Sequence, residues 1–273
     1  MELIEILKVV VLGIVEGITE WLPISSTGHM LLVDEFIHMN VSDSFKDMFF
    51  VVIQLGAILA VVMLFWDKMW PFQTKDKSKP VIRKDVFSMW FKVVVACIPG
   101  AIVTLLFDDY IEAHLHTPTV ISLALVIYGV AFIVIENWNK NRTPKVLTLE
   151  DISYKTAFII GLFQVLSIIP GTSRSGSTII GALTIGVSRV AAAEFTFFLA
   201  VPVMIGLSFI KILKFGLSFT SVELMTLAIG CVAAFLVSVL VIKFLMSYIK
   251  KRDFKIFGWY RIVLGVILLL YFM

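Results

Sequence analysis

Charge is scarce in this 273-residue sequence: 16% is Asp, Glu, Lys or Arg, against about 25% in an average soluble domain. Cysteine is scarcer still. Cys97 and Cys231 each fall inside an apolar run, which excludes a disulfide framework and a Cys-x-x-Cys metal site and reads as small core residues. The formal net charge of +3 is too small and too scattered for a nucleic-acid footprint. No basic segment followed by a small-residue cleavage site opens the chain, since Met1–Glu5 is acidic, so no cleaved signal peptide is expected. Hydrophobic residues make up 59% of the chain and aromatics 13%. With a mean hydropathy of +0.99, this excludes an ordinary cytosolic protein. The composition predicts an integral membrane protein.

A spanning helix needs about 20 apolar residues. Six runs approach that length: Phe50–Trp66, Val93–Phe107, Thr119–Glu136, Phe195–Ile210, Leu224–Ile242 and Ile256–Phe272. They are too long for strands, and backbone in lipid must satisfy its own hydrogen bonds. Phe65, Trp66, Trp138, Tyr248 and Trp259 stand near their ends, as interfacial aromatics do. Two further apolar stretches, 3–38 and 156–190, are interrupted at Pro23–Gly28 and Pro170–Gly176. Each reads as two half-helices around a re-entrant loop.

Basic residues sort these elements by side. Asp67–Lys92 carries seven, including Lys75, Lys77 and Lys79; Asn137–Lys155 and Met246–Ile256 carry four each. Asp108–Pro118 has none, and three acids, Asp108, Asp109 and Glu112. The positive-inside rule then places the first three segments in the cytoplasm and the last outside. Both termini must lie outside, with each broken hairpin returning to its own side; Lys211 and Lys214 run against the rule.

The two broken stretches resemble each other. Gly13-Ile-Val-Glu16 and Pro23-Ile-Ser-Ser-Thr-Gly28 parallel Gly161-Leu-Phe-Gln164 and Pro170-Gly-Thr-Ser-Arg-Ser-Gly176. Glu16 matches Gln164 at an offset of 148 and Ser26 matches Ser173 at 147, so a one-residue gap aligns them. Three spans follow each hairpin, and an odd number places the halves in opposite orientation. The expected fold is an all-α polytopic membrane protein of six transmembrane helices and two re-entrant hairpins, in an inverted-topology repeat. One half is about 1–137 and the other about 156–273, with a site near the midplane where the broken helices meet.

Three groups of residues carry possible chemistry. Glu16 and Glu20, four apart, share one helix face, and a carboxylate inside a membrane calls for a metal, a cation or a shared proton. Ser25, Ser26, Thr27 and Gly28 gather hydroxyls and free amides at a helix start, which favours anions; His29 adds an acid–base or nucleophilic group. Arg174, between Ser173 and Gly176 and near Thr178, offers a bidentate fork for phosphate oxygens. A solvated surface pair, a plain helix cap and a snorkelling arginine are the bland alternatives to these three readings.

EGITEWLPISSTGH, FVVIQLGAILAVV, PGTSRSGSTIIGAL and the late Trp259-Tyr260-Arg261 resemble the undecaprenyl-diphosphate phosphatase family, the bacitracin-resistance type of bacterial plasma membranes. The likeness covers essentially the whole chain. It carries that family's glutamate motif onto Glu16 and Glu20, its serine and histidine onto Ser26 and His29, and its Pro-Gly-x-Ser-Arg-Ser-Gly-x-Thr motif onto Pro170–Thr178. It implies hydrolysis of undecaprenyl diphosphate, recycling a lipid carrier for peptidoglycan, with Mg²⁺ or Ca²⁺ in support and a site open to the outer face. Expected partners are that lipid and the surrounding membrane lipids, with no nucleic acid; a homodimer is an open option. In the expected roles Arg174 clamps phosphate, with Ser173, Thr178, Ser25, Thr27 and Gly176 around it. Ser26 or His29 attacks phosphorus, preferably Ser26 with His29 as its base, and Glu16 and Glu20 hold the metal or orient water. The rival class is a transporter or flippase for a phosphorylated polyprenyl lipid, which inverted repeats with broken helices serve equally well.

Overall fold

Long apolar runs bounded by polar caps become long helices in the computed structural model, which describes residues 2–73 and 80–272, without the side chains of 108–110, 112 and 113. Lys75, Lys77, Lys79 and the side chains of Asp108, Asp109 and Glu112 therefore lie outside what is described. The helices are Leu3–Thr19 (α1), Ser26–Phe36 (α2), Asp43–Val52 (α3), Gln54–Leu64 (α4), Trp66–Met69 (α5), Lys84–Leu115 (α6), Pro118–Asn139 (α7), Tyr154–Val165 (α8), Arg174–Thr184 (α9), Arg189–Phe215 (α10), Ser221–Ile249 (α11) and Lys255–Phe272 (α12). Among the described residues no strand forms, only two isolated bridges. Among the described residues, six helical stretches are long and apolar enough to cross a membrane: α3–α4 together, α6 as far as Phe107, α7, α10, α11 and α12.

All six expected spans are present, and they run past the apolar residues that marked them. The reason lies in the caps: Ser42, Thr117, Ser188 and Thr220 each accept a hydrogen bond from the backbone three residues on, starting the helix in polar sequence. The expected loop at Asp108–Pro118 is corrected likewise. α6 continues to Leu115, because propagation costs little and no proline falls between Phe107 and Pro118. Cys97 and Cys231 are half-buried within helices rather than core residues.

In lipid, helices associate by close packing rather than by hydrophobic burial, so small residues set who touches whom. α1 lies on α11 where a Cβ on Gly17 would come 2.8 Å from the Ala234 carbonyl oxygen; α8 lies on α6 where one on Gly161 would come 2.4 Å from that of Ala96. α4 also packs on α11, α10 on α6, and α7 on α12. Fully buried Trp21, Phe132, Phe195, Phe197, Phe198 and Phe254 belong to the main apolar core.

The basic segments meet at one end of the bundle. Lys92 Nζ donates to the Glu150 carbonyl, Ser188 Oγ to that of Leu147, and Lys68 Nζ to the Glu194 carboxylate at 2.7 Å. Glu136 is buried there, holding the Arg189 guanidinium and accepting from the Phe254 backbone at 3.0 Å. The N-terminal residues meet Asn40 at the opposite end, where the Asn40 backbone donates to Glu5 Oε2.

Candidate active site

Both expected breaks exist, shifted by a few residues. α1 stops at Thr19 and α2 starts at Ser26; α8 and a 3₁₀ turn stop at Ile168, and α9 starts at Arg174. The breaks therefore occupy 20–25 and 169–173, and Ser26–Gly28 and Arg174–Gly176 are already helical. Each break ends on a serine at positive φ, Ser25 at 73° and Ser173 at 72°. Ser25 Oγ accepts from the Gly28 N–H and Ser173 Oγ from the Gly176 N–H. A caps-to-caps comparison gives a uniform offset of 148 through Gly13/Gly161, Glu16/Gln164, Ser25/Ser173 and Gly28/Gly176. At that offset no gap is needed: Ser25 aligns with Ser173, and Ser26 with Arg174.

Those two counterparts meet on one carboxylate. Ser26 Oγ donates to Glu20 Oε2 at 2.9 Å, and Arg174 Nη2 donates to Glu20 Oε1 at 2.9 Å. The pair is nearly enclosed, with Arg174 10% and Glu20 7% exposed. Arg174 Nη1 is held by the Thr196 carbonyl at 2.9 Å, whereas its Nε, buried, has no partner. A buried unpaired donor on a guanidinium is costly, and it leaves one edge of the fork for an anionic acceptor. Glu16 is buried within range of the Glu20 and Arg174 charges, and its Oε1 also has no partner.

The remaining expected residues divide. Ser25 is buried, Ser26 half-buried and Thr27 exposed, so this turn forms the site's wall and rim. Ser173 and Gly176 form the opposite cap. Thr178 departs from expectation: fully buried, its hydroxyl donates to the Arg174 carbonyl and pairs with Thr196 Oγ1 at 2.9 Å. It backs Arg174 rather than facing a ligand. His29 also departs from its expected pairing with Ser26, because its Nδ1 lies 2.7 Å from the Ser25 carbonyl oxygen and its Nε2 2.7 Å from the Tyr260 hydroxyl. A carbonyl only accepts, so Nδ1 carries the proton and Nε2 offers a lone pair to Tyr260. The proton acceptor beside Ser26 is Glu20.

Three contributors escaped the sequence reading of the site. Thr196 carries no signal that separates it from ordinary span residues, and Tyr260 stands out only through the family resemblance. Arg261 does carry a signal: it is the single charge within the run Ile256–Phe272, and an ionisable residue inside a span marks a functional hypothesis by default. Its side chain is fully buried and donates to the carbonyls of Pro23, Gly171 and Thr172, one in the first break and two in the second.

Among the described residues, no group of three or more His, Cys, Asp and Glu side chains is placed to hold a metal. The available pair is Glu16 and Glu20. A cavity of about 900 Å³ lies elsewhere, at the basic end, lined by Lys140, Arg142, Lys145, Arg189 and Lys250. It adjoins the far end of α9, about 15 Å from Arg174 by helix rise.

Comparison with known proteins adds family membership. The chain is 73% identical over 270 residues, 99% of its length and 98% of the relative's, to a protein named undecaprenyl-diphosphatase from Enterococcus faecalis. Proteins of the same name from Lachnoclostridium phytofermentans and Desulfitobacterium hafniense are 61% and 62% identical over 273 residues, covering this chain completely and 99% and 98% of theirs. Residues 9–267 match the family described as Bacitracin resistance protein BacA. With a match over nearly its whole length, the chain belongs to that family.

Proposed function

We propose that the protein hydrolyses undecaprenyl diphosphate to undecaprenyl phosphate and inorganic phosphate, returning the lipid carrier to peptidoglycan synthesis and conferring bacitracin resistance. The observation that carries this reading is the meeting of Ser26 and Arg174, one from each broken stretch, on the Glu20 carboxylate. The shared name of full-length relatives at 61–73% identity supports the substrate.

In the reaction, the unpartnered Arg174 Nε and its Nη2 clamp oxygens of the terminal phosphate and stabilise the charge that develops there. Ser26 Oγ attacks the terminal phosphorus and its proton passes to Glu20. The bond from that phosphorus to the bridging oxygen breaks, and undecaprenyl phosphate leaves. Water then attacks the phosphoserine, giving a proton to His29 Nε2, while Ser26 Oγ departs and recovers its proton from Glu20. His29 suits that step because it follows Ser26 by three residues on α2, its Nδ1 proton is already engaged, and its Nε2 is freed once the Tyr260 hydroxyl turns to another acceptor.

A divalent cation fits Glu16 and Glu20. Both are hard oxygen donors, the Glu16 Oε1 lacks a partner, and Mg²⁺ sites commonly use one or two carboxylates plus substrate oxygens. Such an ion supplies charge neutralisation on the diphosphate.

The finer architecture follows the same reading. 3–38 and 156–190 are re-entrant hairpins, and halves of about 1–137 and 156–273 form an inverted repeat, supported by the matched capping serines and by exchanged packing, α1 on α11 and α8 on α6. The basic end faces the cytoplasm of a bacterial plasma membrane, both termini face outside, and the site opens outward.

Phosphate release by purified protein in detergent, with and without chelator, tests the function. Release that requires the metal is expected. Tight binding of the diphosphate lipid without turnover would instead favour a transporter or flippase.

A further inference from the structure

Arg261 brings a positive charge into the bundle that the reaction above leaves unused. Its side chain has no exposed surface, and its guanidinium meets backbone carbonyls rather than a carboxylate. Nη2 donates to Gly171 and Thr172 at 2.8 and 2.9 Å, Nη1 to Pro23 at 3.2 Å, and Nε leans on Leu125 of α7 at 3.5 Å. The Tyr128 ring lies beside it, 5.7 Å from Cζ. A buried cation without a counter-ion is expensive to keep, so a function must offset it.

The partners suggest which function. Pro23 stands two residues ahead of the capping Ser25, and Gly171 two ahead of the capping Ser173. Both serines hold φ above 70°, a conformation that persists only where the surroundings over-determine it. Arg261 thus grips the two breaks at equivalent places. A Cβ added to Gly176 would come 3.3 Å from its Nη1, so the guanidinium also backs the first turn of α9, which carries Arg174. Two other ties cross the site: Ser175 Oγ donates to the Glu20 carbonyl at 3.3 Å, and Arg174 to the Glu20 carboxylate, a pair that a phosphate must disturb. The Arg261 tie involves no group that substrate competes for.

We propose that Arg261 is a positioning residue: by joining the two breaks it fixes Ser26 and Arg174 at their working separation while the Glu20–Arg174 pair opens around the substrate. A planar fork with five donors can hold three carbonyls at once, which a lysine ammonium at the end of a flexible stem cannot do in the same plane. The reach of the side chain depends on how closely α12 seats on α7. That seating is set by glycine: a Cβ on either Gly129 or Gly258 would come 2.7 Å from the carbonyl oxygen of the other.

The proposal rests on the phosphatase reading, and the experiment separates the two. Wild type, Arg261→Lys, Arg261→Ala and Gly258→Ala are purified in detergent, checked for monodispersity and thermal midpoint, and assayed for kcat and KM per folded molecule. Wild type that releases no phosphate would count against the phosphatase reading itself. With an active wild type, Arg261→Lys is expected to lose at least tenfold in kcat with KM changed less than threefold. Arg261→Ala should lose more and recover part of its kcat with added guanidinium ion. Gly258→Ala, which displaces α12 without touching either break, should lower kcat severalfold. Wild-type kcat in folded Arg261→Lys, or losses that only track the folded fraction with no guanidinium rescue, would overturn the assignment. If neither Arg261 variant folds, Gly258→Ala decides it, and an unchanged kcat there overturns it.

Discussion

Two side chains, Ser26 and Arg174, share the Glu20 carboxylate, and each makes a separable contribution. Arg174 gives one nitrogen to Glu20 and one to the Thr196 carbonyl, with its Nε edge open. Arg174→Lys keeps the charge but not the fork, so kcat/KM is expected to fall by about 2–4 kcal/mol of transition-state stabilisation, the loss typical of a preorganised donor. Near wild-type turnover would mean that Arg174 only anchors the loop. Ser26→Ala should abolish the chemical step, and Glu20→Gln should lower kcat by about 10²–10⁴-fold, since an amide cannot take the proton. A phosphoserine should be trappable by rapid quench of wild type with substrate labelled in its terminal phosphate. A Ser26→Ala enzyme keeping a tenth of the rate beside a dead His29→Gln would make the histidine the nucleophile, and its phosphohistidine, labile in acid, would appear instead. Absence of any phosphoenzyme would point to direct attack by water.

The broken helices are the elements on which this site depends, and their caps are unusual. A serine cap normally has extended backbone, yet Ser25 and Ser173 sit at φ 73° and 72°. The side chain still satisfies an orphan amide of the first turn, at the expense of local strain. Alanine at either position would lose the cap and retain the strain, costing about 1–2 kcal/mol, whereas glycine costs only a few tenths because it tolerates positive φ. Thermal unfolding in detergent should therefore rank serine, then glycine, then alanine, the reverse of helix propensity for the last two. An alanine variant as stable as the glycine one would show that the positive φ is not retained in solution. The same elements depend on close approach, as at Gly161, where any side chain would strike the α6 backbone.

Across the whole molecule, charge and connectivity point the same way. The loops after α4, α7 and α11 meet at one end with the start of α10, and that end carries Lys140, Arg142, Lys145, Arg189 and Lys250 around its cavity. In a cysteine-free background, Lys140→Cys should resist an impermeant reagent on intact cells and react once the membrane is opened. Leu217→Cys, exposed between α10 and α11, should react from outside. Outside labelling at position 140 would invert the topology. That outcome would leave the Glu20–Arg174 geometry untouched but move its opening to the cytoplasm.

Hydropathy and helix capping are local properties, so the sequence by itself determined the six spans, the two interruptions and the residue types at the site. Glu16, Glu20, Ser26, His29 and Arg174 all stand out because polar groups are costly in lipid and few in number. Their pairing was not legible. Whether Ser26 hands its proton to His29 or to Glu20 depends on where the first break returns α2, and the structure sets Glu20 beside Ser26 while Tyr260, 231 residues from His29, engages the imidazole. Thr178 looked like a ligand in a motif, but helix periodicity turns it into the α9–α10 contact with Thr196. The ungapped alignment of the two broken stretches also required the caps, since the prolines at 23 and 170 suggest a gap that the matched positive-φ serines do without. Only the tertiary structure decided that one arginine near the end of the chain reaches both breaks, because contacts between segments so distant are fixed by helix packing and leave no trace in local sequence.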